Sequence, residues 1–179
     1  EAVVFYEKSG LGVEENTLRI NVLDKDGDAW RSVCDTPAEG SEIEKVMISR
    51  LGTNDRVNLI IGSSLINRSE KNVTMYNYEN GSITANFSES YSFFDVTDLD
   101  GDEENEFFLL AGAATGSPAK AEVFKLDGKG IYTKYSCDLS GSFSEFDSLS
   151  YGTLEDGRQA LYIDAVSGAG SVQTDMIYL

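Results

Sequence analysis

Along this chain apolar and polar residues alternate with a period of two far more often than they recur at helical spacing, and that period predicts strands. The runs fall at Ala2–Tyr6, Leu18–Leu23, Ala29–Cys34, Glu44–Ser49, Asn58–Ile61, Val73–Tyr78, Ser82–Phe87, Ser92–Thr97, Glu106–Ala111, Ala121–Leu126, Ile131–Ser136, Phe146–Ser150, Ala160–Asp164 and Val172–Tyr178. Only Thr36–Ile43 leaves room for a helical turn. Two runs, Asn58-Leu59-Ile60-Ile61 and Phe107-Phe108-Leu109-Leu110, are apolar on both faces, as a strand covered on both sides must be. Others alternate: Leu18, Ile20 and Val22 share one face and Arg19 and Asn21 the other, while Tyr76 and Tyr78 share a face across Asn77.

The order of the strands repeats. A strand, a polar turn, a very apolar strand and a small-residue loop lead into a hairpin closed by Asp-Gly or Asn-Gly. Val46–Ile61 matches Val96–Leu109, and Val73–Phe87 matches Ala121–Tyr135. The offset of roughly 50 residues lies in the range of propellers and arrays. The hairpin turns are Asp26-Gly27, Asn80-Gly81 and Asp127-Gly128-Lys129-Gly130, residues that accept the positive φ of a tight ribbon turn. Four strands per unit is the content of one propeller blade. The expected fold is therefore all-β: a propeller-like array of about four antiparallel four-stranded units, approximately 1–43, 44–90, 91–143 and 144–179, forming one repeat domain. The first unit is short of strands and the last stops after its third. Such an array is a partial propeller, completed by a longer parent chain, an exchanged strand or an oligomer. Glu1, with no Met or leader, reads as the start of a processed or trimmed product.

Composition narrows the function. Apolar residues make up 41% of the 179 and aromatics 11%, too many for a disordered acidic segment. Lys+Arg 14 against Asp+Glu 31 gives 14 − 31 = −17, which disfavours nucleic acid and anionic membrane as partners. No apolar run reaches the about 18 residues of a membrane span. Histidine is absent, so Ser-His-Asp triads, Cys-His pairs and His-ligated zinc are excluded. Cys34 and Cys137 could pair only with Cα atoms within about 7 Å, and they read as two half-buried strand thiols.

The most informative segment is Asp98-Leu99-Asp100-Gly101-Asp102-Glu103-Glu104-Asn105-Glu106, leading into Phe107-Phe108-Leu109-Leu110. Side-chain oxygens at every second residue around a glycine, closed by a carboxylate at the start of a strand, suit Ca²⁺ better than Mg²⁺ with its stricter octahedron. The absence of soft or imidazole ligands disfavours zinc, copper and iron. This loop resembles the calcium loop of FG-GAP and VCBS-type repeats, which build the blades of integrin-like β-propellers. The resemblance implies side-chain ligands at Asp98, Asp100, Asp102 and Glu106 and a backbone carbonyl ligand at Glu104. The family usually closes the loop with Asp where this chain has Glu106. Across its length the chain is similar to secreted lipoproteins of Gram-positive bacteria with such repeats, ending in a degenerate unit at Gly152–Tyr162, which implies an extracytoplasmic location, secreted or lipid-anchored at the cell surface. At the corresponding turns Arg50 replaces the first carboxylate of Arg50–Arg56, and Tyr151–Gln159 offers few ligands, so neither is expected to bind metal.

Other constellations read as structure. Asp24-Lys25-Asp26-Gly27-Asp28 has no ninth-position carboxylate and sits where the outer hairpin needs a turn. Asp95, beside Phe93, Phe94 and Val96, is the acid nearest to an apolar pocket and reads as an edge or turn residue. No Gly-x-Ser-x-Gly elbow lies between strand and helix. Gly112–Ser117 and Gly168–Ser171 lack the helix and Lys of a phosphate cradle and read as connections. Tyr91, Phe93 and Phe94, like Tyr76 and Tyr78, read as core or cross-strand aromatics, with sugar stacking the alternative. Sequons at Asn67, Asn72, Asn80 and Asn86 matter only in a eukaryotic host. The expected function is thus a non-catalytic extracytoplasmic module that binds or adheres to a protein or glycan through a Ca²⁺-stiffened scaffold. A carbohydrate-active enzyme with paired carboxylates and an architectural spacer of a larger surface protein are the alternatives.

Overall fold

The computed structural model of the chain describes residues 1–9, 18–52, 57–65, 70–114, 117–127, 132–140, 143–167 and 169–178. Among these run fourteen strands: β1 (Ala2–Glu7), β2 (Leu18–Asp26), β3 (Ala29–Pro37), β4 (Glu42–Arg50), β5 (Val57–Ser64), β6 (Lys71–Glu79), β7 (Ser82–Tyr91), β8 (Phe93–Thr97), β9 (Glu106–Ala111), β10 (Lys120–Leu126), β11 (Tyr132–Asp138), β12 (Phe143–Thr153), β13 (Gln159–Ser167) and β14 (Val172–Tyr178). Among the described residues every expected run falls in a strand, Ser92 apart. Most extend further than the apolar pattern, because ladder hydrogen bonds pair polar residues as readily as apolar ones: Asp24 faces Arg31 and Lys25 faces Trp30 at the end of the β2–β3 hairpin.

The strands form four antiparallel sheets, ordered β1-β2-β3, β4-β5-β6-β7, β11-β10-β9-β8 and β12-β13-β14. Among the described residues the first and last have three strands each, in line with the short first and last units expected from the sequence. The helical turn expected within Thr36–Ile43 does not form. Pro37 ends β3, and the chain bends through Gly40, whose φ of +93° stops a right-handed helix. A Cβ on Gly40 would lie 2.6 Å from Ser63 Oγ and 2.8 Å from the Ser64 carbonyl oxygen, so the bend needs glycine for space as well.

The hairpin turns have distinct chemistry. Asn80 and Gly81, with φ of 52° and 75°, both occupy the left-handed region, as a type I′ turn requires. In the β2–β3 hairpin Asp26 pairs with Ala29, so the turn residues are Gly27-Asp28 and not Asp26-Gly27; Gly27, at φ 62°, supplies the first position of a type II′ turn. Residues 128–130 of the third expected turn, and the Asn67 sequon, lie outside the described residues.

The chain divides into two compact units. One comprises Glu1–Ile48 and Val57–Ser90, the other Ser49–Arg56 and Tyr91–Leu179. In the first, Leu18 and Ile20 of β2 and Leu59, Ile61 and Tyr76 of β5 and β6 form a buried cluster with Ala38, bordered by Val3, Phe5, Ile43 and Ile83. In the second, Phe108 and Leu110 of β9 and Ala121 and Val123 of β10 pack with Leu161, Ile163 and Ala165 of β13, joined by Leu99, Ala119, Leu139 and Phe143. The two doubly apolar runs are buried on both faces: Ile60 and Phe107, which point away from these clusters, are also 0% exposed.

Candidate metal centre

The acidic segment is the connection between β8 and β9. Thr97 pairs with Glu106, and residues 98–105 form the loop between them. Asp98 organises it: Oδ1 accepts the N–H groups of Gly101 (2.7 Å) and Asp102 (3.2 Å), and Oδ2 accepts that of Glu103 (2.9 Å). Next, Asp100 Oδ1 accepts the Asp102 N–H at 3.3 Å, and Asp102 Oδ1 accepts the Glu104 N–H at 3.0 Å. These bonds force a tight coil, with Gly101 at φ 79° and Glu103 at φ 69°. Glu103 is a non-glycine residue held in the left-handed region, a local strain that the surrounding bonds offset. Leu99 is buried in the unit's core and anchors the loop from below.

Glu106 closes the loop from the first position of β9. Its side chain is 0% exposed; Oε2 accepts the Leu99 N–H at 2.8 Å, while Oε1 is buried without a hydrogen-bond donor. The extra methylene of Glu over Asp carries the carboxylate across the loop to the backbone of its second residue. Burial pushes the Glu106 carboxyl above the ordinary glutamate value, and the Asp100 charge adds to the rise. Asp98, Asp100 and Glu106 each present one oxygen, all within 4.8 Å of one another. Two oxygens bound to one Ca²⁺ at about 2.3–2.6 Å lie no more than about 5 Å apart, so this donor set fits a hard cation.

Of the five residues singled out in the sequence, the structure gathers these three directly. Asp102 joins them through Lys125, whose ammonium lies 2.7 Å from Asp100 Oδ2, is hydrogen-bonded to Asp102 Oδ2 and stands 3.6 Å from Glu106 Oε1. Glu104 is half-buried and gives its N–H to Asp102. The hydrogen bonds that Lys125 donates to Asp100 and Asp102 raise its pKa, and the second of them lowers that of Asp102. Four carboxylates (Asp98, Asp100, Asp102 and Glu106) against one ammonium leave −4 + 1 = −3, an excess that a divalent cation would offset. Lys125 escaped the sequence reading because its signal is a pairing register: Phe124 pairs with Phe107, which sets Lys125 beside Glu106.

The turn before β5 offers the matching positions, with Arg50 and Asn58 where the β8–β9 loop has Asp98 and Glu106. Asn58, eight residues after Arg50 as Glu106 is after Asp98, is 1% exposed near the start of β5. Its Nδ2 donates to Oδ1 of its partner Asn77 at 2.5 Å, and its own Oδ1 has no donor. Leu51 is buried like Leu99. A buried polar residue thus stands at the ninth position in both four-stranded sheets, Asn58 in one and Glu106 in the other. An unpaired neutral amide oxygen costs about 1–3 kcal/mol, and a carboxylate oxygen costs more unless a proton or a cation meets it.

Among the described residues the remaining candidates do not gather into a site. Asp26 of the β2–β3 hairpin pairs with Arg31 at 2.9 Å, and Asp24 accepts the Lys25 N–H. Asp95 accepts the Tyr151 hydroxyl at 3.2 Å; burial, aided by the Asp95 charge, pushes that phenol up. Phe94 and Tyr76 are core residues, and Phe93 stacks on Phe108 at 6.1 Å. Cys34 and Cys137 are both free; Cys137 is exposed on outer strand β11 and not half-buried. A cleft of about 150 Å³ in the second unit is lined by Leu99, Val123, Tyr135, Cys137, Ile177 and Tyr178, and one of about 290 Å³ in the first mainly by apolar residues with Glu1. Neither is lined by a pair of carboxylates. No protein-family model matches the chain, and no curated protein matches it.

Proposed function

We propose that the chain is a non-catalytic extracytoplasmic binding module of the partial-propeller kind, in which one Ca²⁺ stiffens the β8–β9 loop and the sheets present a surface to a protein or glycan. The observation that carries the calcium reading is Glu106 Oε1: a buried carboxylate oxygen with no donor, within 4.8 Å of oxygens from Asp98 and Asp100. Asp98, Asp100, Asp102 and Glu106 would hold the cation through their side chains and Glu104 through its carbonyl. The bound ion would supply positive charge at the centre of the loop. The residues themselves contribute rigidity, since loop N–H groups fix one oxygen of Asp100 and one of Asp102 and so aim the other. The sequence of four sheets, with tight outer hairpins at Gly27-Asp28 and Asn80-Gly81, supports the blade reading.

Differential scanning calorimetry with Ca²⁺ and with EDTA tests the proposal. At a hundredfold excess over Kd the ion adds about 2.7 kcal/mol. For a chain of this size that is a rise in melting temperature of about 5–10 °C. The rise is expected to vanish in Asp100→Ala, and a wild-type chain with the same melting temperature in both buffers would remove the metal from the proposal. Turnover of any glycoside substrate, abolished by a single acid substitution, would replace the binding module with an enzyme.

A further inference from the structure

We infer that Lys125 is a tethered competitor for the cation of the β8–β9 loop and sets how tightly, and how selectively, that loop takes Ca²⁺. The inference rests on the calcium reading above. The Lys125 ammonium already meets Asp100 Oδ2 at 2.7 Å and Asp102 Oδ2, and it stands 3.6 Å from Glu106 Oε1, which accepts no hydrogen bond. A metal ion held by the same oxygens at about 2.3–2.6 Å would lie against the ammonium. Two positive charges cannot share so small a volume, so uptake of Ca²⁺ requires Lys125 to swing out to solvent. The side chain has somewhere to go, being 27% exposed, whereas its backbone is fixed between buried Phe124 and Leu126 on β10. Lys125 therefore leaves the cluster without leaving the neighbourhood, and its effective concentration beside the loop stays high.

The other four-stranded sheet supports this pairing of roles. Where β5 carries neutral Asn58 in place of Glu106, the facing strand carries neutral Asn77. Acid and lysine thus occur together on β9 and β10 and are replaced together on β5 and β6. Two properties follow. The metal-free loop keeps its shape, because one cation of its own holds Asp100 to Asp102. A monovalent ion, bringing no more charge than the ammonium it must expel, gains nothing by entering, so the loop selects divalent ions and binds them more weakly than an unplugged loop would.

Titration calorimetry of the whole chain with CaCl₂ tests this, on wild type, Lys125→Met, Lys125→Gln and Lys120→Met. Lys120→Met removes the same charge from the other end of β10. Both Lys125 variants are expected to bind Ca²⁺ at least about tenfold more tightly than wild type and to melt lower than wild type in EDTA, with Lys120→Met unchanged. The glutamine variant keeps a polar head for Asp100, so a folding defect of the methionine variant alone leaves the measurement intact. An equal gain in Lys120→Met would mean long-range charge and not displacement, and would overturn the inference. Unchanged or weaker binding in the Lys125 variants, with wild type still binding, would overturn it while the calcium reading stands. Absence of Ca²⁺ binding in all four proteins would overturn the calcium reading itself.

Discussion

Replacing Phe108 with alanine is expected to lower the unfolding free energy by about 3–5 kcal/mol, a large share of the about 5–15 kcal/mol that holds a domain together. Phe108 is 0% exposed near the middle of β9, paired with Asp95 on one side and Val123 on the other. Its ring stacks on Phe93 at 6.1 Å and belongs to the cluster that joins β9 and β10 to Leu161, Ile163 and Ala165 of β13. Alanine removes the transfer free energy of the ring and leaves a cavity between two sheets. Paired strands are tied by ladder hydrogen bonds and cannot close inward to fill it. Urea denaturation followed by circular dichroism measures the loss. A value below about 1 kcal/mol would mean that the β9–β13 cluster is not the core of the second unit.

That Phe108 would be buried was legible from the sequence, since a run of four large apolar residues has no polar face to turn to water. The acidic loop was legible for a similar reason: carboxylates at every second residue between two strand patterns have few structural uses. Glu106 shows where legibility ends. Its place at the head of β9 is read from spacing, but the donorless oxygen depends on its length, which carries Oε2 to the Leu99 N–H and leaves Oε1 behind. Lys125 is further removed, because its role depends on the register of β10 against β9, and register is a long-range property that alternation does not encode. The turn at Gly27-Asp28 differs by one residue from the expected Asp26-Gly27 because both dipeptides contain the glycine and only the Asp26–Ala29 pairing decides which side of it the turn occupies. The missing helical turn after Thr36 reflects the same limit: spacing left room for it, while the bend at Gly40 is imposed by Ser63 and Ser64, which are distant in sequence.

Gly52 is the position where this distant constraint is strongest, and Gly52→Ala is expected to destabilise the second unit by at least about 2–3 kcal/mol. Its φ of +60° alone costs alanine about 1–2 kcal/mol. Space costs more. A Cβ there would stand 2.8 Å from the Leu126 carbonyl carbon, with the carbonyl oxygen closer still. The obstacle is backbone at the end of β10, not a side chain that could rotate away. Retreat is blocked too, since the Gly52 N–H donates to the Asn105 carbonyl at 3.0 Å and the preceding Leu51 is fully buried. Gly101→Ala is the matched control, for Gly101 has a φ of +79° but nothing within 4 Å of an added Cβ, so it should lose only the conformational part. Equal losses in the two variants would refute the close approach of Gly52 to β10. Because Asn105 precedes Glu106 and Leu126 follows Lys125, the strain of Gly52→Ala falls on both sides of the cation cluster. The Ca²⁺-dependent rise in melting temperature should therefore shrink in Gly52→Ala even though no ligand has been altered.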